Sequence, residues 1–135
     1  MKTNMSNVYP TRPGQLDFSN RQGRRAPQLN PMRQGDTFRR FITLEDFDLT
    51  GHDLRCSVRE KPDDSAPILF MSTGNGMIEI LEPTLFKFEV APAISEPLEV
   101  GVYHYDVEIV TPAGDVYTLF EGRWDVVREI TKEAD

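Results

Sequence analysis

The clearest pattern in the chain is an alternation of apolar and polar residues between Gly101 and Val127. Within residues 103–109, aromatic and aliphatic residues share one parity, and histidine and carboxylates share the other. A period of two is that of a strand with one buried and one solvated face. Since Thr111 to Gly114 supplies proline and glycine before a second such run, the pattern predicts a long antiparallel hairpin.

Shorter segments of the same kind precede this hairpin. They are Thr37–Leu44, Leu54–Arg59, Ile68–Met71, Met77–Leu81 and Leu85–Val90. In the first of them Arg40 interrupts the apolar parity and Phe41 lies on the other one, which predicts an edge strand. Gly122 interrupts the last strand of the chain and predicts a β-bulge there.

No segment of the chain has an amphipathic helical period. About seven short strands, spaced by roughly ten residues, predict an all-β protein, an immunoglobulin-like antiparallel β-sandwich. A small barrel is the alternative. Ten prolines and nine glycines fit a fold with many turns.

The first part of the chain has neither the period of a strand nor that of a helix, and four prolines interrupt it. We therefore divide the chain into an extended basic arm at residues 1–34, the sandwich at 35–131 and a charged tail at 132–135. An arm of this composition cannot bury enough apolar surface to offset its own ordering entropy. It is either a disordered tail or a segment that becomes ordered on a partner.

Charge separates the arm from the rest of the chain. Residues 1–35 carry six basic residues and one acidic residue, so their net charge is +5 and the remaining residues carry −12. The acidic body is expected to repel nucleic acid, whereas the arm can bind an acidic surface. Apolar anchors and paired arginines would make those contacts. The candidate partner-binding residues of the arm are Tyr9, Arg12, Leu16, Phe18, Arg21, Arg24, Arg25 and Arg33.

A second candidate partner-binding site is the acidic turn after the first strand, which contains Glu45, Asp46 and Asp48. It predicts a solvated loop or a surface for an arginine of another subunit. Several carboxylates on one loop can also bind calcium, but this spacing matches no EF-hand.

Candidate chemistry elsewhere is sparse. His52 and His104 are the two histidines, and a transition-metal site needs three or four converging ligands, so we expect no metal and no cofactor. Cys56 is the single cysteine, which excludes an intramolecular disulfide and makes a reducing compartment the simplest location. Its apolar parity predicts a core thiol and not a nucleophile. A sandwich of this size is filled by its own side chains, so we expect no enzymatic activity.

The aromatic residues of the hairpin have a structural interpretation. One of Tyr103 and Tyr105 is expected to be the tyrosine that bonds back to the backbone at a corner of such sandwiches. Trp124 shares the parity of Val126 and is expected to be partly buried.

No run of about 18 apolar residues occurs, so the sequence predicts no membrane-spanning helix. The first 25 residues lack the apolar region of a secretory signal.

An ordered set of motifs resembles a known family over about residues 34–131. The set consists of Gln34–Phe38, Asp48–Gly51, Arg55–Arg59, Gly76–Ile80, Leu98–Val107, Leu119–Gly122 and Val126. It resembles the immunoglobulin-like domains of tailed-bacteriophage virion proteins and is similar to the N-terminal domain of phage upper baseplate proteins. One departure is the turn at 45–47, where many relatives have a glycine-rich sequence. The arm lies outside the resemblance.

The resemblance implies a non-enzymatic docking or adaptor module of the tail, baseplate or neck, present in several copies in a symmetric assembly. Its partners would be other virion proteins, and its location the virion, assembled in the host cytoplasm. A capsid decoration (cement) protein of the same fold is an alternative. A carbohydrate- or receptor-binding module is the second alternative, and it requires an exposed aromatic platform from Tyr103, Tyr105, Tyr117 and Trp124.

Overall fold

Residues 26–63 and 66–129, which are the residues described by the computed structural model, form two β-sheets around a shared apolar core. The described elements are β1 (Met32–Arg33), β2 (Phe38–Thr43), β3 (Asp53–Arg59), β4 (Leu69–Ser72), β5 (Ile78–Glu82), β6 (Leu85–Val90), a short helix α1 (Pro92–Ser95), β7 (Gly101–Val110) and β8 (Val116–Val127).

One sheet has the order β1-β8-β7-β3-β4 and the other has the order β2-β6-β5. All pairs are antiparallel except β1 with β8, which are parallel. This division of the strands, with the last hairpin beside β3 and with β2 beside β6, is that of an immunoglobulin-like sandwich. The predicted fold class is therefore confirmed. Eight strands are described, against about seven predicted, because β1 adds a two-residue strand.

The core lies between the sheets and is built by the period-two alternation. Every second residue of β6 and β7 is buried, and Trp124 of β8 is completely buried between them. The centroid of its ring lies 4.8 Å from the ring centroid of Phe38 and 6.2 Å from that of Phe88, and both phenylalanines belong to the opposite sheet. The sequence predicts only partial burial of Trp124. Burial is complete because aromatic side chains of both sheets meet over its ring.

Two edges of the sheets have identifiable features. Among the described strands β2 is an edge strand, as predicted, and Phe41 on its outer face is 52% exposed. At the free edge of β4, the Asn75 carboxamide accepts a hydrogen bond from the Ser72 N–H and donates one to the Phe70 carbonyl, each at 3.0 Å. The side chain thereby replaces the strand that would otherwise pair there.

The predicted corner tyrosine is Tyr103. Its hydroxyl donates a hydrogen bond of 2.7 Å to the Glu99 carbonyl, four residues upstream. The short helix α1 lies in the segment before it. Ser95 at the end of α1 is completely buried, where its hydroxyl accepts from the Gly35 N–H and donates to the Asp36 carbonyl.

The predicted bulge at Gly122 is wrong. Gly122 pairs in regular register with Tyr105, and the register shift lies at Val107–Glu108, opposite residues 118–120. Gly122 instead allows a close approach, because a Cβ there would lie 3.0 Å from Cε1 of Tyr105. The missing side chain leaves room for the tyrosine ring to extend past β8.

Candidate docking surface

The described end of the arm is fastened to the sandwich. We call residues 26–34 the arm root. It runs along the side of the sandwich between β8 and β2, which belong to different sheets, and Leu29 and Met32 of the arm root are part of the core. Met32 is completely buried. The sandwich therefore begins before the predicted boundary at residue 35, because these two side chains fill space between the sheets.

Three side chains of the body hold the arm root by its backbone carbonyls. The Tyr105 hydroxyl donates to the Pro27 carbonyl at 2.9 Å, and Arg40 Nη1 donates to the Gln28 carbonyl at 2.6 Å. The Trp124 indole N–H donates to the Asn30 carbonyl at 3.1 Å. Burial is the main cause that raises the pKa of Tyr105, to about 12, so its hydroxyl remains a donor at neutral pH.

The C-terminal half of the arm root continues the five-stranded sheet. Met32 and Arg33 pair with Val126 and Val127, and the Gln34 N–H donates to the Val127 carbonyl. Arg33 Nη1 donates to the Arg128 carbonyl at 2.9 Å. Arg33, which the sequence assigns to partner binding, is thus bonded to its own domain. The other predicted arm residues, Tyr9, Arg12, Leu16, Phe18, Arg21, Arg24 and Arg25, lie outside the described residues.

Sequence reasoning misses the anchoring side chains, although two signals for them exist. Arg40 stands on the apolar parity of an edge strand, where a charged residue needs a partner. Gly122 stands on the inward parity of a long strand, where the missing side chain indicates a close approach. The sequence does not identify which carbonyls of the arm root accept these hydrogen bonds, because every residue has a carbonyl.

The first loop, residues 45–51, combines buried apolar side chains with exposed carboxylates. Phe47 and Leu49 are buried, and the Leu49 N–H donates to the Pro83 carbonyl at 2.6 Å. The Asp48 carboxylate accepts from the Thr50 N–H at 2.9 Å, and hydrogen bonds with Thr50 lower the pKa of Asp48. Glu45 and Asp46 are exposed, and neither forms an ion pair with another described residue.

The structure brings the first loop and the arm root together. An open groove of about 390 Å³ lies between them. Its apolar side chains are Pro27, Ile42, Leu44 and Phe120, and its acidic side chains are Glu45 and Asp46. We call it the arm groove. Asp48, the third predicted residue of this loop, is not among the lining residues.

The outer face of the five-stranded sheet carries a second polar site. Arg55 pairs with Glu108 at 2.7 Å, and Arg123 pairs with Asp125 at 2.8 Å. Asp106 and Glu121 stand directly opposite each other on β7 and β8, and neither makes an ion pair within the described ranges. Burial, followed by the charge of Glu108, raises the pKa of Asp106. The hollow beside Asp106 measures about 170 Å³.

The remaining candidates have structural positions. Cys56 is completely buried, as predicted, and burial raises the pKa of its thiol. Tyr103, Tyr105 and Trp124 are buried and Tyr117 is half-buried, so these four do not form an exposed aromatic platform. His52 Nδ1 lies 3.1 Å from the Thr50 carbonyl, and its ring packs on Phe47. Across residues 26–63 and 66–129, no group of three or more histidine, cysteine or acidic side chains is arranged to hold a metal.

The two-sheet architecture and the docked arm root define a β-sandwich with a fastened N-terminal segment. No protein-family model matches the chain, and no curated protein matches it. None of the helices in the described part of the chain has the length and apolar character to cross a membrane.

Proposed function

We propose that the protein is a non-enzymatic docking module of a bacteriophage virion, placed in the tail, baseplate or neck. Its arm would lie on neighbouring subunits and become ordered there. The observation that carries the proposal is the attachment of the arm root through the carbonyls of Pro27, Gln28 and Asn30. These contacts fix the point at which the arm leaves its own domain.

Charge supports the same role. Residues 1–25 contain five basic residues and one acidic residue, while the body is strongly acidic. A basic segment attached at one point of an acidic body is attracted to acidic neighbours, including the bodies of adjacent copies. The resemblance to virion immunoglobulin-like domains supplies the setting, and the sandwich is a fold on which such modules are built.

The arm root changes the design of the deletion that tests the proposal. Removing residues 2–33 would also remove Leu29 and Met32 from the core, so failure to assemble could reflect unfolding. Removing residues 2–25 keeps all three carbonyl contacts. We expect this shorter deletion to remain folded and to be lost from purified virions, measured by quantitative gel analysis. Undiminished incorporation would refute the role of the arm.

Copy number tests the position in the particle. Tens of copies per particle or fewer fit a tail, baseplate or neck position, whereas hundreds would indicate the capsid decoration role and overturn the proposed position. A glycan array tests the carbohydrate-binding alternative, and a specific hit would overturn the docking proposal in its present form.

A further inference from the structure

The arm groove has the chemistry that suits an arginine side chain. Its lining is apolar at Ile42, Leu44 and Phe120, and its acidic side chains are Glu45 and Asp46. Arginine has an aliphatic stem that packs on apolar surface and a guanidinium that pairs with carboxylates. Both carboxylates lack an ion-pair partner in the described part of the chain, whereas Glu79, Glu89, Glu108 and Asp125 on the sheets each have one.

Two arginines precede the described end of the chain, which lines this groove. Pro27, one of the lining residues, is held by the Tyr105 hydroxyl, so the position of the described N-terminal end is fixed. Arg24 and Arg25 come directly before Ala26. Since an extended residue spans about 3.3–3.6 Å, the short stretch of chain between these arginines and Pro27 is compatible with their side chains reaching the groove.

We infer that Arg24 and Arg25 bind the arm groove of their own domain, with their stems on its apolar lining and their guanidinium groups at Glu45 and Asp46. The two partner-binding candidates of the sequence, the arm and the first loop, then form one continuous surface. The intramolecular connection favours this occupant, because a tethered segment has a high effective concentration at a site beside its own anchor. The arm would leave the domain along the first loop, and its earlier residues would remain available to a neighbouring subunit.

The test uses the isolated full-length protein labelled with ¹⁵N. In the wild type at low salt, we expect the backbone amides of Arg24 and Arg25 to be shifted from random-coil positions and to give positive heteronuclear NOE values. In the double variant Glu45→Gln/Asp46→Asn, both signatures should fall to those of a free chain. High salt should have the same effect on the wild type, because exposed ion pairs are screened.

A matched control removes the same charge elsewhere. Asp63→Asn/Glu99→Gln neutralises two exposed carboxylates that do not line the groove, and the amides of Arg24 and Arg25 should keep their wild-type positions. Exchanging the charges, with Arg24→Glu/Arg25→Glu combined with Glu45→Arg/Asp46→Arg, should restore the shifted positions that either double variant alone loses.

Two results would overturn the inference. One is identical spectra for residues 24–25 in the wild type and in Glu45→Gln/Asp46→Asn. The other is a wild-type signature that strengthens with protein concentration, which would place the arginines in the groove of a second copy. Because the experiment needs no virion, its failure is distinguishable from failure of the docking role, which the deletion of residues 2–25 tests.

Discussion

Two segments that the sequence predicts to bind a partner, the described end of the arm and the acidic first loop, are attached to the sandwich in different ways. The arm root is held through its carbonyls by side chains of Tyr105, Arg40 and Trp124. The first loop is held through its own apolar side chains, Phe47 and Leu49, and presents its carboxylates to solvent. The carbonyl contacts do not depend on the side chains of the bound segment, so a polar, proline-rich sequence can make them, and Leu29 and Met32 add apolar packing in the core.

Because the two segments are attached differently, substitutions in the arm root should affect stability, whereas substitutions of exposed residues in the first loop should affect binding. Removing atoms of the arm root opens the core or leaves buried polar groups without partners. Removing the exposed carboxylate of Glu45 or Asp46 in the first loop changes only the surface charge. Variants of the two segments should therefore change the free energy of unfolding by unequal amounts.

The largest effect is expected for Met32→Ala. Met32 is completely buried, and its truncation leaves a cavity that costs about 2–5 kcal/mol of unfolding free energy. Urea denaturation followed by Trp124 fluorescence measures it. The matched first-loop variant, Glu45→Ala/Asp46→Ala, should stay within about 0.5 kcal/mol of wild type. Equal stabilities of the two variants would show that the arm root is not part of the folded core.

Gly122→Ala should have the next largest effect. The added Cβ would lie 3.0 Å from Cε1 and 3.3 Å from Oη of Tyr105, so the ring whose hydroxyl holds the Pro27 carbonyl must shift. Overpacking of this kind costs about 1–3 kcal/mol. Gly74→Ala is the control, because its Cβ would meet nothing closer than Ser72 Oγ at 3.6 Å. The prediction fails if both alanine variants unfold at the same urea concentration.

Tyr105→Phe keeps the ring and removes the hydroxyl that holds Pro27. The loss is expected to be about 0.5–1.5 kcal/mol. Hydrogen–deuterium exchange of a peptide covering residues 26–33 should also accelerate, because the arm root loses one of its three side-chain anchors. Tyr103→Phe is the control, since it removes the bond to the Glu99 carbonyl and leaves the arm root anchored. Equal acceleration of that peptide in both variants would mean that global unfolding, and not release of the arm root, limits exchange.

Particular residues show how far the sequence predicts this structure. The hairpin of β7 and β8, the edge position of β2 among the described strands and the core position of Cys56 follow from local parity and turn residues, and the structure confirms them. The predicted fold limits the corner tyrosine to Tyr103 or Tyr105, and the structure identifies it as Tyr103. The arm root does not follow, because Met32 and Leu29 have no periodic context and their anchors are distant in sequence. Gly122 shows the same limit, since its reason is a ring on the neighbouring strand.

The smallest effect concerns Asp48, the one carboxylate of the first loop with a described hydrogen bond inside the loop. Bonds with Thr50 lower its pKa, so the carboxylate contributes stability above its ordinary pKa, and that contribution is lost as pH falls through the lowered value. Asp48→Ala should therefore unfold at a slightly lower urea concentration than wild type at neutral pH. The difference should shrink in acid, where the wild-type carboxyl is protonated. Asp46→Ala at neutral pH is the control and should match wild type. A deficit of Asp48→Ala that persists unchanged in acid would mean that the side chain acts through packing and not through its charge.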